Sequence, residues 1–213
     1  MNDRLHPGDD GEVRCFWCGD DPQYVAYHDD EWGRPVLDAD RLFEKVCLEG
    51  FQSGLAWITV LRKRQNFRDA FDGFGIDEVA RMNDARERNV TALLGNAGII
   101  RHRGKIEATL DNALRAREMQ DAGIDLVRHM WSFAPDSPYG RHDGALTPGS
   151  INTTSAEAVA LSKDLKKRGW RFVGPTTVYS FMQSMGMVND HFVGCHVHGA
   201  CEEQRAAAVA VTR

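Results

Sequence analysis

Eight residues with thiol or imidazole side chains gather near the two ends of this chain. Cys15, Cys18 and His28 lie at one end, and His191, Cys195, His196, His198 and Cys201 at the other. Thiolate and imidazole are the ligands zinc prefers. Four protein ligands make a closed structural site, whereas a catalytic zinc keeps a position open for water. Two ligands from each end would staple the ends together. Spacing alone nominates Cys15-x-x-Cys18 as one pair, and His191-x-x-x-Cys195 would share a face if that segment were helical. The five cysteines are odd in number and scattered, a poor disulfide framework, so reduced thiols, some holding a metal, are expected.

Two further constellations carry chemistry. Trp17, Tyr27 and Trp32 lie close in sequence to Asp29, Asp30 and Glu31, and Glu49 and Trp57 flank Gly50 and Gly54. Glycines there let backbone and ligand approach closely, although a single tryptophan such as Trp57 is more often core than pocket. The segment Leu93 to Ile106 reads as a helix, a tight apolar turn at Gly98 and Ile99, and a new helix near Gly104. Backbone N–H groups at such a helix-hairpin-helix suit a phosphate, with Arg101, Arg103 and Lys105 adding charge. The net charge of −5 offers no general attraction to nucleic acid. Arg62-Lys63-Arg64 and Lys166-Lys167-Arg168 read as solvated helix faces, so the hairpin must carry any such binding.

The elements that must position these groups are helical. Leu42, Phe43, Val46 and Cys47 recur at spacings of three and four behind a candidate N-cap, Asp38, which predicts a helix from about 39 to Gly50 or beyond. Further patterns predict helices over 55–71, 77–82, 90–96, 104–122, 125–133 and 176–187. A capping box at Thr154 to Glu157 opens another that Gly169 closes. Residues 1–13 read as a flexible leader, 134–152 as the longest irregular segment and 201–213 as a tail. No alternating run is long enough for a sheet. A chain of 213 residues with 42% hydrophobic side chains is enough for one compact unit. It lacks both a roughly 20-residue apolar span and a signal core, which predicts a cytoplasmic protein with no membrane partner.

At these residues the chain resembles the DNA-3-methyladenine glycosylase I family. The resemblance runs in order through Arg14-Cys15-x-Trp17, Tyr27-His28-Asp29-x-Glu31-Trp32-Gly33, Cys47-Leu48-Glu49-Gly50 and Gly54-Leu55-x-Trp57-Ile58-Thr59-Val60-Leu61. It continues through Ala97 to Ile106, Lys166-Lys167-Arg168-Gly169 and Asn189-Asp190-His191-x-Val193-Gly194-Cys195. It implies an all-α, helix-hairpin-helix DNA glycosylase-like fold, with residues 14–200 as one unit of two helical lobes. One structural zinc per chain would be held by the residues matching Cys15, His28, His191 and Cys195, joining the N- and C-terminal segments. Glu49 would be the catalytic carboxylate, with Tyr27 and Trp57 on the base and Trp17 and Trp32 nearby. Gly98, Ile99, Arg101, Arg103, Gly104 and Lys105 would meet the DNA. The implied reaction is hydrolysis of the N-glycosidic bond of 3-methyladenine in double-stranded DNA by a monomer that flips the base and leaves the strand uncut. Cys18, the stretch 84–89 and residues 134–150 depart from the family pattern. The rivals are a zinc-stapled DNA-binding module without catalysis and a zinc hydrolase, which needs a metal-bound water.

Overall fold

The computed structural model describes residues 4–136 and 153–213. Most of the expected irregular segment 134–152 therefore lies outside the described residues. Two short strands open the chain, β1 (Leu5–Pro7) and β2 (Val13–Cys15), followed by helices α1 (Pro22–Asp30), α2 (Ala39–Gln52), α3 (Trp57–Leu61) and α4 (Arg64–Ala70). Next come α5 (Ile76–Arg81), α6 (Arg86–Gly95), α7 (Arg103–Asp121) and α8 (Leu126–Trp131), then α9 (Ala156–Lys167), α10 (Pro175–Ser184) and α11 (His198–Thr212).

Helix α2 begins where Asp38 accepts a hydrogen bond from the Arg41 N–H, and every residue from Leu42 to Phe51 is buried. A helix buried all round is a core helix, and α2 packs on α10 and on α7. It nevertheless carries Glu44, Lys45 and Glu49, so its ionic groups need partners inside the protein. The 19-residue α7 is N-capped by His102, whose Nδ1 accepts from the Lys105 N–H, and it packs on α5 and α2. Phe51, Phe67, Phe71 and Phe74 form a run of rings beside α2, with Phe51 and Phe67 centroids 4.5 Å apart. One main hydrophobic cluster runs from Tyr27 to Ala208. A small second cluster of Cys15, Phe192, Cys195, Val197 and Cys201 joins the two ends of the chain.

Four expectations are corrected. The leader is not loose, because β1 and β2 pair antiparallel with Leu5 opposite Cys15. The turn between them is tied down by Arg14, which donates to Asp10 and Asp29 at 2.7–3.0 Å. Strands of three residues are too short to show alternation in sequence. The single helix expected over 55–71 breaks at Arg62 and Lys63 into α3 and α4, which turns Phe67 and Phe71 into the ring cluster. The tail is the helix α11, anchored by the buried Arg205, which donates to the Met187 carbonyl at 2.8 Å. Lastly, His191 to Cys195 is a turn and no helix, with Gly194 at φ +99°.

Candidate active site

A cavity of about 200 Å³ opens beside the C-terminal half of α2. Its wall takes Tyr24 and Tyr27 from α1, Glu49 and Gln52 from α2, and Trp57 from the start of α3. Ser180 and Gln183 from α10 complete it, together with Trp17, Trp32, Asp190 and Phe192. The turn from α2 to α3 runs through Gly54 at φ +82°, a conformation that glycine adopts without strain. It brings Glu49 and Trp57 to one cavity, as their spacing suggested. The rings are in contact: Trp17 lies 5.1 Å from Tyr24 and 4.9 Å from Trp32, and Tyr27 lies 5.4 Å from Trp57, centroid to centroid.

Glu49 is 4% exposed. Its Oε1 lies 2.9 Å from the Lys45 ammonium, one helical turn earlier, while its Oε2 is buried with no partner. Burial pushes the Glu49 carboxyl up, and Lys45 opposes that. Burial likewise pushes the Lys45 ammonium down and the Tyr27 hydroxyl up. Lys45 donates to the Tyr27 hydroxyl at 2.8 Å, and its Nζ sits 3.3 Å from the centroid of Trp57. One face of Trp57 therefore carries an internal cation already, and its remaining surface lines the cavity. The Trp57 Nε1–H is also buried without a partner. A buried acceptor and a buried donor left unmet beside a cavity are what a polar ligand satisfies.

Against the other side of the aromatic wall, Cys15, His28, His191 and Cys195 bring their ligand atoms within 4.8 Å of one another, all buried. Sulfur-to-nitrogen separations are 3.5 Å for Cys195 to His28 Nε2, and 3.6 Å for Cys15 and Cys195 to His191 Nδ1. The outward ring nitrogens are engaged: His28 Nδ1 with Asp29 at 2.7 Å, and His191 Nε2 with the Trp32 carbonyl at 2.9 Å. These contacts point Nε2 of one ring and Nδ1 of the other inward, so the four residues can hold a metal ion. A Cβ on Gly33 would come within 2.9 Å of His191 Nε2, so only glycine fits there. Spacing had nominated Cys18 as a partner of Cys15, and the structure leaves it out, since its thiol donates to the Cys15 carbonyl at 3.2 Å.

A family model described as methyladenine glycosylase matches residues 17–198. The chain belongs to the methyladenine glycosylase family. It is 50% identical over 182 residues to DNA-3-methyladenine glycosylase 1 of Escherichia coli (strain K12), covering 85% of this chain and 95% of that protein. A crystal structure of 3-methyladenine DNA glycosylase I superposes with a TM-score of 0.80 at 48% identity, over 87% of this chain and 99% of the other. A variant 3-methyladenine DNA glycosylase I crystallised in complex with 3-methyladenine is 31% identical, with a TM-score of 0.76 over 87% of this chain and 97% of that one.

Helix α6, the turn 96–102 and α7 follow one another where a helix, a tight turn and a new helix were expected. Ile99 is buried, and the Gly98 N–H donates to Asn96 Oδ1 at 2.8 Å. The Gly98 carbonyl accepts from Lys63 Nζ and Asn66 Nδ2, both at 3.2 Å. A Cβ at Gly98 would meet the side chains of Asn96 and Asn66 at 2.9–3.2 Å, so a larger residue would push these two side chains aside. Arg101 is exposed, Arg103 is exposed but leans on Glu107 and Glu87 at 3.3–3.5 Å, and Gly104 sits in the first turn of α7. Lys105 is a correction. Its ammonium points inward and donates to the carbonyls of Phe51 and Ser53 at 2.9 and 2.7 Å, so it caps α2 and is turned away from a phosphate at the hairpin. Sequence reasoning also missed Lys45, although Lys45-x-x-x-Glu49 is an i,i+4 ion pair on an apolar helix. It missed Gln52, Ser180 and Gln183 as well, polar residues without a distinguishing pattern.

Proposed function

We propose that this chain removes 3-methyladenine from alkylated double-stranded DNA by hydrolysing its N-glycosidic bond, the first step of base excision repair. The observation that carries this reading is Glu49, a buried carboxylate with one oxygen on Lys45 and the other unpartnered beside an aromatic cavity. A flipped base is recognised by stacking on aromatic rings and by hydrogen bonds to its edge. Methylation at N3 makes the base in DNA cationic and a good leaving group, so the protein has mainly to extrude and hold it. Trp57, Tyr27, Trp17 and Trp32 supply the rings, and Glu49 accepts from the amino edge. Water then attacks the sugar carbon through a cationic transition state that carboxylate and phosphate charge favour. Among the described residues no lysine is placed as a free nucleophile in the cavity, since Lys45 is fully engaged, which supports base removal without strand cleavage.

For the metal cluster, zinc is the ion this donor set suits. Bonds of about 2.3 Å to sulfur and 2.0 Å to nitrogen at the tetrahedral angle need sulfur-to-nitrogen distances of about 3.5 Å, and three of the cluster's four such pairs have 3.5–3.6 Å. Zinc there would fasten the hairpin β1–β2 and α1 to the segment before α11, and four protein ligands leave no place for a reactive water. DNA would enter over the hairpin, with the turn at Gly98 and Ile99 and the start of α7 at Gly104 taking a phosphate, and Arg101 and Arg103 adding charge. The described residues make a single unit of two helical lobes that takes in β1 at one end and α11, packed on α8, at the other. We place the chain in the cytoplasm as a monomer; no helix among the described residues is long and apolar enough to cross a membrane.

Chromatography of bases released from methylated DNA tests the reading. Free 3-methyladenine with intact strands is the expected result. Binding of the same DNA without any released base would replace it with a non-catalytic DNA-binding module.

A further inference from the structure

An ammonium has three N–H donors and no acceptor, and each donor of Lys45 has a place. One reaches Glu49 Oε1 at 2.9 Å, one the Tyr27 hydroxyl oxygen at 2.8 Å, and the third faces the Trp57 ring, 3.3 Å from its centroid. Lys45 is thus bound to three of the residues that the proposed function puts on the base, from three different helices, and it is itself buried. Two consequences follow from hydrogen-bond bookkeeping. Glu49 has a cation against it that favours its charged form and opposes the effect of burial. Tyr27, having accepted from Lys45, has its own proton free to donate.

We propose that Lys45 is a positioning residue for base selection: it holds Glu49 as an acceptor and Tyr27 as a donor, and so sets the pocket against a guanine edge. The inference rests on the base-pocket reading above. Adenine presents an amino donor beside the N7 acceptor, whereas guanine presents the O6 acceptor in the place of the amino group. An ionised Glu49 Oε2 accepts from the amino group and repels O6. A protonated Glu49 would instead donate to O6 and admit the methylated guanine.

The charge environment agrees with the geometry. Burial pushes the Glu49 carboxyl up and the Lys45 ammonium down, and the ion pair between them opposes both shifts. The other titratable groups at the cavity are Tyr24 and Tyr27 of α1 and Asp190 beyond α10. Behind Lys45, Glu31 and Arg64 pair with each other at 2.7 Å, and Glu44 pairs with Arg68 at 2.7 Å. Glu44 also pairs with Arg41 at 2.5 Å, so this side carries one cation in excess, yet Lys45 is the charge that acts on Glu49 against burial. Removing the Lys45 charge therefore leaves Glu49 with burial unopposed, and it binds a proton at higher pH than before.

Lys45→Met and Lys45→Gln in the full chain test this, the first removing the charge in a similar volume and the second keeping a donor. Release of 3-methyladenine and 3-methylguanine from methylated DNA is measured across pH beside the parent and Glu49→Gln. In both Lys45 variants the acid limb of 3-methyladenine release should move up by about one pH unit or more. The ratio of 3-methyladenine to 3-methylguanine release at neutral pH should fall roughly tenfold. A parental pH profile and ratio in folded Lys45 variants, with Glu49→Gln impaired, would overturn the inference and leave Lys45 a packing group. A parental rate in Glu49→Gln would overturn the pocket reading itself. The parent chain gives a readout that needs no Lys45 substitution: carboxyl-labelled NMR should show Glu49 ionised at neutral pH, and a protonated Glu49 there would also overturn the proposal.

Discussion

Two buried polar clusters lie on either side of one aromatic wall, and they differ in how completely they are satisfied. In the Cys15, His28, His191 and Cys195 cluster, four ligand atoms converge and both outward ring nitrogens have partners. In the Glu49 cavity, Oε2 and the Trp57 Nε1–H have none. Adjacent residues of α1 serve the two, Tyr27 turning to the cavity and His28 to the cluster, and Trp17 touches both rings at 6.5 and 5.2 Å. A cluster that closes on itself can only hold structure together. One with unmet groups beside open space is built for something that comes and goes.

The largest effect should come from opening the closed cluster. Cys15→Ala or Cys195→Ala removes a ligand that joins the chain ends, so we expect loss of bound zinc and a fall in Tm of roughly 10 °C. That corresponds to a few kcal/mol at about 2–4 °C per kcal/mol for a chain of this size. Metal analysis and thermal melting check it, and full zinc retention in Cys15→Ala would erase the contrast between the two clusters. Cys18→Ala, which loses only a thiol bond to the Cys15 carbonyl, should leave zinc content at the parental value.

The cavity should behave in the opposite way, losing function before stability. Glu49→Gln replaces a charged acceptor whose hydrogen bonds are worth about 1.5–3 kcal/mol. Turnover on methylated DNA should therefore fall about ten- to hundredfold, with zinc content unchanged. Trp57→Ala removes stacking worth about 1–3 kcal/mol and also uncovers Lys45, so weaker 3-methyladenine binding should come with some loss of Tm. Steady-state kinetics and melting curves on the same preparations separate these. A Glu49→Gln protein that melts early but turns over normally would make the cavity carboxylate a structural group.

How much of this was legible in the sequence depended on whether position along the chain reports direction in space. Helix α2 was legible because its apolar residues recur at helical spacing behind Asp38, and the cavity because Glu49 and Trp57 bracket a glycine turn. Helix α11 was not, because its buried residues, Cys201, Arg205, Ala208 and Thr212, keep helical spacing but are small or polar, which hides the period. Helix α1 was missed although Asp21 caps it and Pro22 starts it, since Tyr27 and His28 bury side by side toward different sites and leave no stripe. Lys105 was misjudged for a related reason. Charge can be read from sequence, but whether a long side chain points to solvent or to the end of another helix cannot.

The same contrast between satisfied and open groups orders the cations of the hairpin, where the effects are smallest. A lysine or arginine that meets a phosphate releases about one counterion, so its loss lowers the salt slope of DNA binding by about one. Arg101 is exposed and stands first. Arg103 already leans on Glu107 and Glu87, so part of its charge is spent within the protein, and Arg103→Ala should change the slope by less than Arg101→Ala. Lys105 donates to two carbonyls at the end of α2. Lys105→Ala should leave the slope unchanged while costing about 1–3 kcal/mol of stability for the carbonyls it strands. Binding isotherms at several salt concentrations, with melting curves alongside, give both quantities. A drop in slope for Lys105→Ala matching that of Arg101→Ala would show its ammonium leaving α2 for the DNA, and would make the hairpin a movable element rather than a fixed one.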